Sequence, residues 1–241
     1  MRRLFYFIWI SLFTYACKGY EVKDGLVYYT DWNEARGTRE VVISDADAET
    51  FEVLRDGEYA RDRNYVFYHK KKIFGADPES FKPLEGLYAI DKFKAYYAGD
   101  SIIGSSSNEF KILEGGYSSD YKDVYLKTKP LNVCSVQDFK FIEATNDKRF
   151  FTRWSTDGCH YFYLEYKVPS EHYDNVKIYS NGDGFSTDGN QIYYCGRNLM
   201  FNRAGERILD TIDLATFEVD GINCRDKYGC INVFHGRKNC D

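Results

Sequence analysis

The sequence predicts an all-β protein: a tandem repeat of about six or seven small antiparallel β units. Three observations predict it. A phrase recurs about every thirty to forty residues from Asp47 to the C-terminus. In it an Asp or Ser is followed four residues later by an apolar residue, and about ten residues on by an Asp that opens a Tyr-rich run. Aromatics make up 18% of the chain and there are only 4 prolines, which favours pleated, half-buried surface over disorder. No low-complexity linker interrupts residues 17–241, so they read as one domain whose C-terminal part is Cys-rich.

Residues 1–16 precede that domain and have the layout of a secretory signal. Arg2 and Arg3 form a positive region, Leu4 to Tyr15 are apolar or aromatic, and Ala16 is small. The apolar stretch is shorter than the roughly 20 residues a membrane-spanning helix needs. Ala16-Cys17 is similar to a bacterial lipobox, in which the Cys is lipidated and becomes the new N-terminus. Thr14 and Tyr15 depart from that pattern, and an ordinary signal peptide is the other reading. The expected location is the bacterial cell envelope, with Cys17 carrying a lipid anchor as the only membrane attachment.

The cysteine count agrees. There are 7, an odd number for an exported chain. With Cys17 lipidated, Cys134, Cys159, Cys195, Cys224, Cys230 and Cys240 remain as disulfide candidates, enough for three bridges in an oxidising compartment. Their modest separation suggests Cys134 with Cys159. No spacing resembles a zinc site. Without residues 1–16 the chain keeps 30 Lys and Arg against 37 Asp and Glu, a net charge of −7. No basic block is long enough to point to nucleic acid.

The repeat is clearest when aligned on its second Asp. Asp62-Arg-Asn-Tyr-Val-Phe-Tyr68 runs on to Ile73, Phe74 and Gly75, and Asp91-Lys-Phe-Lys-Ala-Tyr-Tyr97 runs on to Ile102, Ile103 and Gly104 without a gap. Asp120, Asp157 and Asp188 open similar runs. Asp24 reads as a truncated first copy and Asp226 as a degenerate last one. Aligned on the upstream apolar residue, Phe51, Phe81, Phe110, Phe139, Ile178 and Phe217 are equivalent, and form the expected repeat core. Four residues before them stand Asp47, Asp77, Ser106, Ser135, Asp174 and Asp213, all good caps for a helical turn. Each unit is expected to hold two or three short strands and one capped turn, and to be too small to bury its own apolar face. A closed propeller-like or barrel-like ring would remove exposed strand edges; an open twisted repeat sheet is the alternative. Insertions such as Thr145 to Trp154 are the expected functional loops.

Asp62-Arg-Asn-Tyr-Val-Phe-Tyr68, continuing to Gly75-Ala-Asp-Pro-Glu-Ser-Phe81, resembles the DKNYY repeat family of exported bacterial proteins and lipoproteins. The likeness is good over residues 45–130 and looser beyond. It implies a fold and a location but no activity.

Catalytic chemistry is not legible. His69, His160, His172 and His235 have no motif partner, and an isolated His is usually solvated. Asn181 to Asp188 superficially resembles a calcium loop, but lacks Gly at its sixth position and a Glu at its twelfth, where Ile192 stands. The repeated aspartates read as turn residues bonding their own backbone. Trp154, in an insertion, is the first candidate to stack on a sugar. No nucleophile elbow and no cofactor motif is present. The expected role is a non-enzymatic binding or scaffold module whose partner is a protein or a glycan. The alternative is a glycosidase-like hydrolase with its site on the inserted loops.

Overall fold

The computed structural model describes residues 19–55, 57–143 and 153–240, less the side chain of Asn33. The signal region, Cys17 and most of the insertion at 145–154 lie outside those residues. Among the described residues there is no α-helix. There are seven small antiparallel sheets in tandem, spanning 19–42, 52–73, 82–101, 111–130, 140–167, 177–198 and 218–238. The first has three strands and each of the others four, every strand lying beside its neighbours in sequence. Each sheet is therefore an open meander with two edges.

Two departures from the sequence reading concern the units themselves. Each full unit has four strands rather than two or three. The extra strand, at Tyr59–Arg61 in the second sheet, precedes the Tyr-rich run and pairs with it, Tyr59 opposite Tyr68 and Ala60 opposite Phe67. The last copy, degenerate in sequence, still forms a full sheet: the seventh sheet has four strands, and its Asp226 is buried.

The chain divides into two compact units, residues up to Lys92 with Ala98–Asp100, and Phe93–Tyr97 with Ser101 onward. In the first, Phe67 of the second sheet packs with Val27 and Tyr29 of the first. Phe51 leaves its capped turn and lies between Tyr20 and Phe67, at ring distances of 5.4 and 5.8 Å. Phe81 does the same on Tyr59, at 5.3 Å.

In the second unit the pattern repeats. Phe162 of the fifth sheet joins Tyr117, Val124 and Leu131 of the fourth. Tyr193 of the sixth joins Trp154, Tyr163 and Val168 of the fifth. Ile231 and Cys224 of the seventh join Phe185, Ile192 and Leu199 of the sixth. Phe139 packs on Tyr117 and on Phe141, and Phe217 on Tyr179 and Phe185. Phe110 takes the same place before its first strand and is half-buried. Ile178, expected in that place, lies instead inside the strand Lys177–Ile178, and the buried Val176, directly before that strand, holds the position.

The rule behind these contacts is size complementarity along two strands. The second strand starts on a large aromatic, which is Tyr59, Tyr88, Tyr117, Trp154 or Phe185, each at most 3% exposed. A small residue follows, which is Ala60, Ala89, Ser118, Ser155 or Ser186, each fully buried. Across the strand pair that small residue faces a large one: Phe67, Tyr125, Phe162 and Tyr193 lie opposite Ala60, Ser118, Ser155 and Ser186. Small against large lets neighbouring sheets approach at interior packing density.

Trp154 belongs to this series. It opens the second strand of the fifth sheet at 2% exposure, so it is a core residue and not the glycan platform expected of an insertion. Its indole is edge-on to Tyr163 at 5.2 Å.

Candidate functional site

The repeated aspartates are the most constrained polar groups in the protein. One oxygen of each closes its own turn: Asp62 Oδ1 accepts from the N–H of Asn64 and of Tyr65, both at 2.7 Å. The other oxygen reaches back to the preceding capped turn. Asp62, Asp91, Asp120 and Asp226 accept the backbone N–H of Asp47, Asp77, Ser106 and Asp213 at 2.6–3.0 Å. The turn reading of the sequence was therefore half of their role; the other half is a clamp between two turns 13–15 residues apart. These carboxylates are saturated with protein donors. Burial pushes the Asp188 carboxyl up, but bonds from Tyr193, Ser170 and the N–H groups of Asn190 and Gln191 outweigh it and hold it down to about 2.

The predicted caps divide by type. Asp77 and Asp213 accept from the N–H of Ser80 and Thr216, while Asp47 Oδ1 accepts from Glu49. Each of the three is also ion-paired to the cation one residue past the clamp aspartate: Asp47 with Arg63, Asp77 with Lys92, Asp213 with Lys227. Where the cap is Ser106 or Ser135, the clamp aspartate is followed by Tyr121 or Gly158 and the pair is absent. Asp174 is not a cap. It lies inside the 3-10 turn Tyr173–Asn175, and Ser170 takes the role, accepting from the N–H of His172 and donating to Asp188. Two extra residues between Ser170 and that turn, Glu171 and His172, displaced the alignment.

In the fifth unit the clamp partner is Cys134, whose N–H donates to Asp157 at 2.8 Å, while Ser135 caps Asp138. Cys134 is disulfide-bonded to Cys159, two residues past Asp157. The bridge occupies the place of the ion pairs in other units. His160 Nδ1 completes the shell of Asp157 at 2.9 Å.

Cys230 and Cys240 form the second disulfide. Cys195 and Cys224 are free, so the described residues hold two bridges rather than three. Cys195 sits at a left-handed hairpin turn (φ 49°) with its sulfur against Gly184. Cys224 lies in the core of the seventh sheet, its thiol directed at the carbonyl of Ile231 and pushed up to about 12 by burial and by Asp226. Neither thiol is set up as a thiolate nucleophile, since burial raises Cys195 as well.

The histidines also have structural partners. His69 is at a left-handed turn (φ 52°), stacked on Tyr29 and Tyr68 and bonded to Glu58. His172 and His235 lie in turns. In the calcium-like segment, Asp183 is held by both oxygens on Arg153 Nη1 at 2.6 and 2.7 Å, with Tyr163 Oη at 3.2 Å. That carboxylate is already committed to a guanidinium.

Among the described residues, the groups that face outward in a pattern are aromatic. Tyr65 and Phe74 are 41% and 80% exposed, and the ammonium of Lys72 lies over both rings, at 4.3 and 5.1 Å. Asp45 fixes that ammonium at 2.6 Å. Phe74 and Ile103 occupy equivalent repeat positions and are both exposed. Phe74 follows the strand Lys71–Ile73, whose last residue Ile73 is the one that points into the core.

Seven tandem sheets, six of them held by a buried Asp, are the physical content of a known sequence pattern. The DKNYY family pattern matches residues 6–100, 59–198 and 88–228. The chain belongs to the DKNYY family. The overlapping matches follow from the tandem repeat, since the pattern can be laid on the DKNYY chain in more than one register. No curated protein and no solved structure matches it. Among the described residues no helix is long and apolar enough to cross a membrane, and the two disulfides fit an oxidising compartment.

Proposed function

We propose that this DKNYY protein is a binding or scaffold module of the bacterial cell envelope, exported by residues 1–16 and anchored by lipid on Cys17. Its partner is a glycan or a protein, met on the platform Tyr65–Lys72–Phe74. The observation that carries the reading is that platform: two exposed aromatic faces bracket an ammonium held by Asp45. Exposed rings rimmed by charge suit sugar rings or an apolar side chain, and large exposed apolar groups in a soluble domain mark interaction sites.

The sheets themselves are the scaffold. Arrangement in a closed ring is the first proposal and an open row the second; small-angle scattering of the mature protein separates them by radius of gyration. The hydrolase alternative gains little support. Burial raises the carboxyl of Asp123, but its oxygens are engaged by the N–H groups of Val124, Asn132 and Val133.

A glycan array and a pull-down with the mature protein test the platform. Binding that is lost in Phe74→Ala and Tyr65→Ala, with the melting temperature unchanged, is the expected result. Binding indifferent to both substitutions overturns the assignment. Labelling with a palmitate analogue in wild type and Cys17→Ser tests the anchor.

A further inference from the structure

We propose that the β2–β3 hairpin of the first sheet is a membrane-contacting element, docked end-on to an anionic phospholipid surface. The inference rests on the lipid anchor proposed above at Cys17.

The first sheet is unlike the other six. It comprises β1 (Gly19–Lys23), β2 (Leu26–Asn33) and β3 (Gly37–Val42). At 8 and 6 residues, β2 and β3 exceed every strand of the later sheets, which have 2–4. The register fixes where the extra length lies. Gly19 pairs with Thr30, so β2 runs on through Asp31 and Trp32 past the beginning of β1 before it turns into β3. The projecting tip and the chain's entry into β1 are thus at the same end of the sheet.

That end is tethered closely. Cys17 is two residues before Gly19, and two extended residues span about 7 Å. A lipid on Cys17 leaves no linker that would let the first sheet stand away from the headgroups. The end that carries the hairpin tip is the end that must face them.

The tip has the chemistry for that contact. Trp32 is 58% exposed and pairs with Thr38, while Asp31 pairs with Arg39, so the indole and the Arg39 side chain leave opposite faces of the hairpin. Both flank the tip when it is met end-on. Arg36 stands in the turn itself. A shallow concavity of about 380 Å³ is lined by Asp31, Ala35, Arg36, Gly37, Arg39 and Lys70. Lys70 is paired with Asp31 at 3.5 Å, and Glu34 adds a negative charge. Arg36 and Arg39 make no ion pair among the described residues. Two uncommitted guanidiniums at one end of a chain of net charge −7 match a surface of lipid phosphates, which guanidinium forks bind in pairs. An exposed indole beside them suits the headgroup layer, where aromatic rings with one polar edge concentrate. A lipid chain plus a basic patch is a recognised two-signal route to stable attachment.

The test uses acylated mature protein purified from membranes and placed in vesicles of equal parts phosphatidylcholine and phosphatidylglycerol, with brominated acyl chains as quencher. Without residues 1–16 the chain has two Trp, and Trp154 is in the core. Emission from wild type should be quenched, and the quench should fall several-fold in Trp32→Phe. The double variant Arg36→Glu/Arg39→Glu, of unchanged melting temperature, should also lose it. In zwitterionic vesicles the wild-type quench should weaken. An acylated wild type that is not quenched, or a Trp32→Phe protein quenched as strongly, overturns the docking and leaves the anchor standing. The mass of the N-terminal peptide reads the anchor separately: an unmodified Cys17 overturns that reading and the docking with it.

Discussion

Asp157 accepts the backbone N–H of Cys134 at 2.8 Å, and Cys134 is itself bonded through sulfur to Cys159. The unit with the longest gap between capped turn and clamp, 23 residues, has the covalent staple. Units with gaps of 13–15 residues and an acidic cap use an ion pair at that place. A longer loop loses more entropy on closure, and a cross-link offsets that loss in the unfolded chain.

Reduction of the Cys134–Cys159 bridge, which closes a 25-residue separation, should therefore lower stability by about 3 kcal/mol. Urea unfolding of Cys134→Ser/Cys159→Ser against wild type measures it. Under denaturing, non-reducing conditions an alkylating reagent should label two thiols, Cys195 and Cys224, in the mature chain with lipidated Cys17. Labelling of Cys134 or Cys159 there would contradict the pairing.

The clamp should dominate unit stability. Asp120→Ala removes the acceptor for the N–H groups of Ser106, Lys122 and Asp123 and for the Tyr125 hydroxyl. Bonds to a buried carboxylate are worth about 1.5–3 kcal/mol each, and orphaned donors add to the cost. We expect a loss of at least about 3 kcal/mol. Because a repeat contacts mainly its neighbours, hydrogen exchange should rise first in the fourth sheet and those beside it. A uniform small change along the chain would speak against the clamp.

Stability should fall in acid. The Asp188 carboxyl is held down to about 2 in the folded protein, against an ordinary value of 3.8. A depressed folded value contributes stability that is complete above the unfolded value and is lost as pH falls through the folded one. The window is thus from about pH 5 down to about pH 2, and the contribution about 2 kcal/mol. Melting temperatures across that range should drop less in Asp188→Asn than in wild type, from a lower starting point. An equal slope for the two proteins would refute the assignment.

Ser118, Ser155 and Ser186 are fully buried, and their hydroxyls have no hydrogen-bond partner among the described residues. The same position holds Ala60 and Ala89 in other units. Replacing Ser186 by Ala removes an unsatisfied group without opening a cavity of consequence, and should raise stability by about 1 kcal/mol. Ser186→Leu should lower it by about 1–3 kcal/mol, because Tyr193 already fills the space opposite. Thermal unfolding of both variants decides; a destabilised Ser186→Ala would show that the hydroxyl has a partner in solution.

The sequence by itself determined the repeat, its all-β character and the five phenylalanines Phe51, Phe81, Phe110, Phe139 and Phe217 before the first strands, because each is a local pattern copied several times; in the sixth unit Val176 and not Ile178 has that place. Its Asp anchors and most of its caps were legible for the same reason. The strand opened by Tyr59, Tyr88 and Tyr117 was legible too, since these stand 29 residues apart, each between the apolar residue of the phrase and its second Asp. What only the tertiary structure decided was how each copy is held. Asp62 reaches Asp47 fifteen residues back, Trp154 is core rather than loop, and Cys195 and Cys224 occupy a turn and a core strand and remain thiols. A side chain's spacing fixes which residues share a strand. Which of them meet across separate turns depends on the approach of backbone segments, and that is set by the packing of small residues against large ones between sheets.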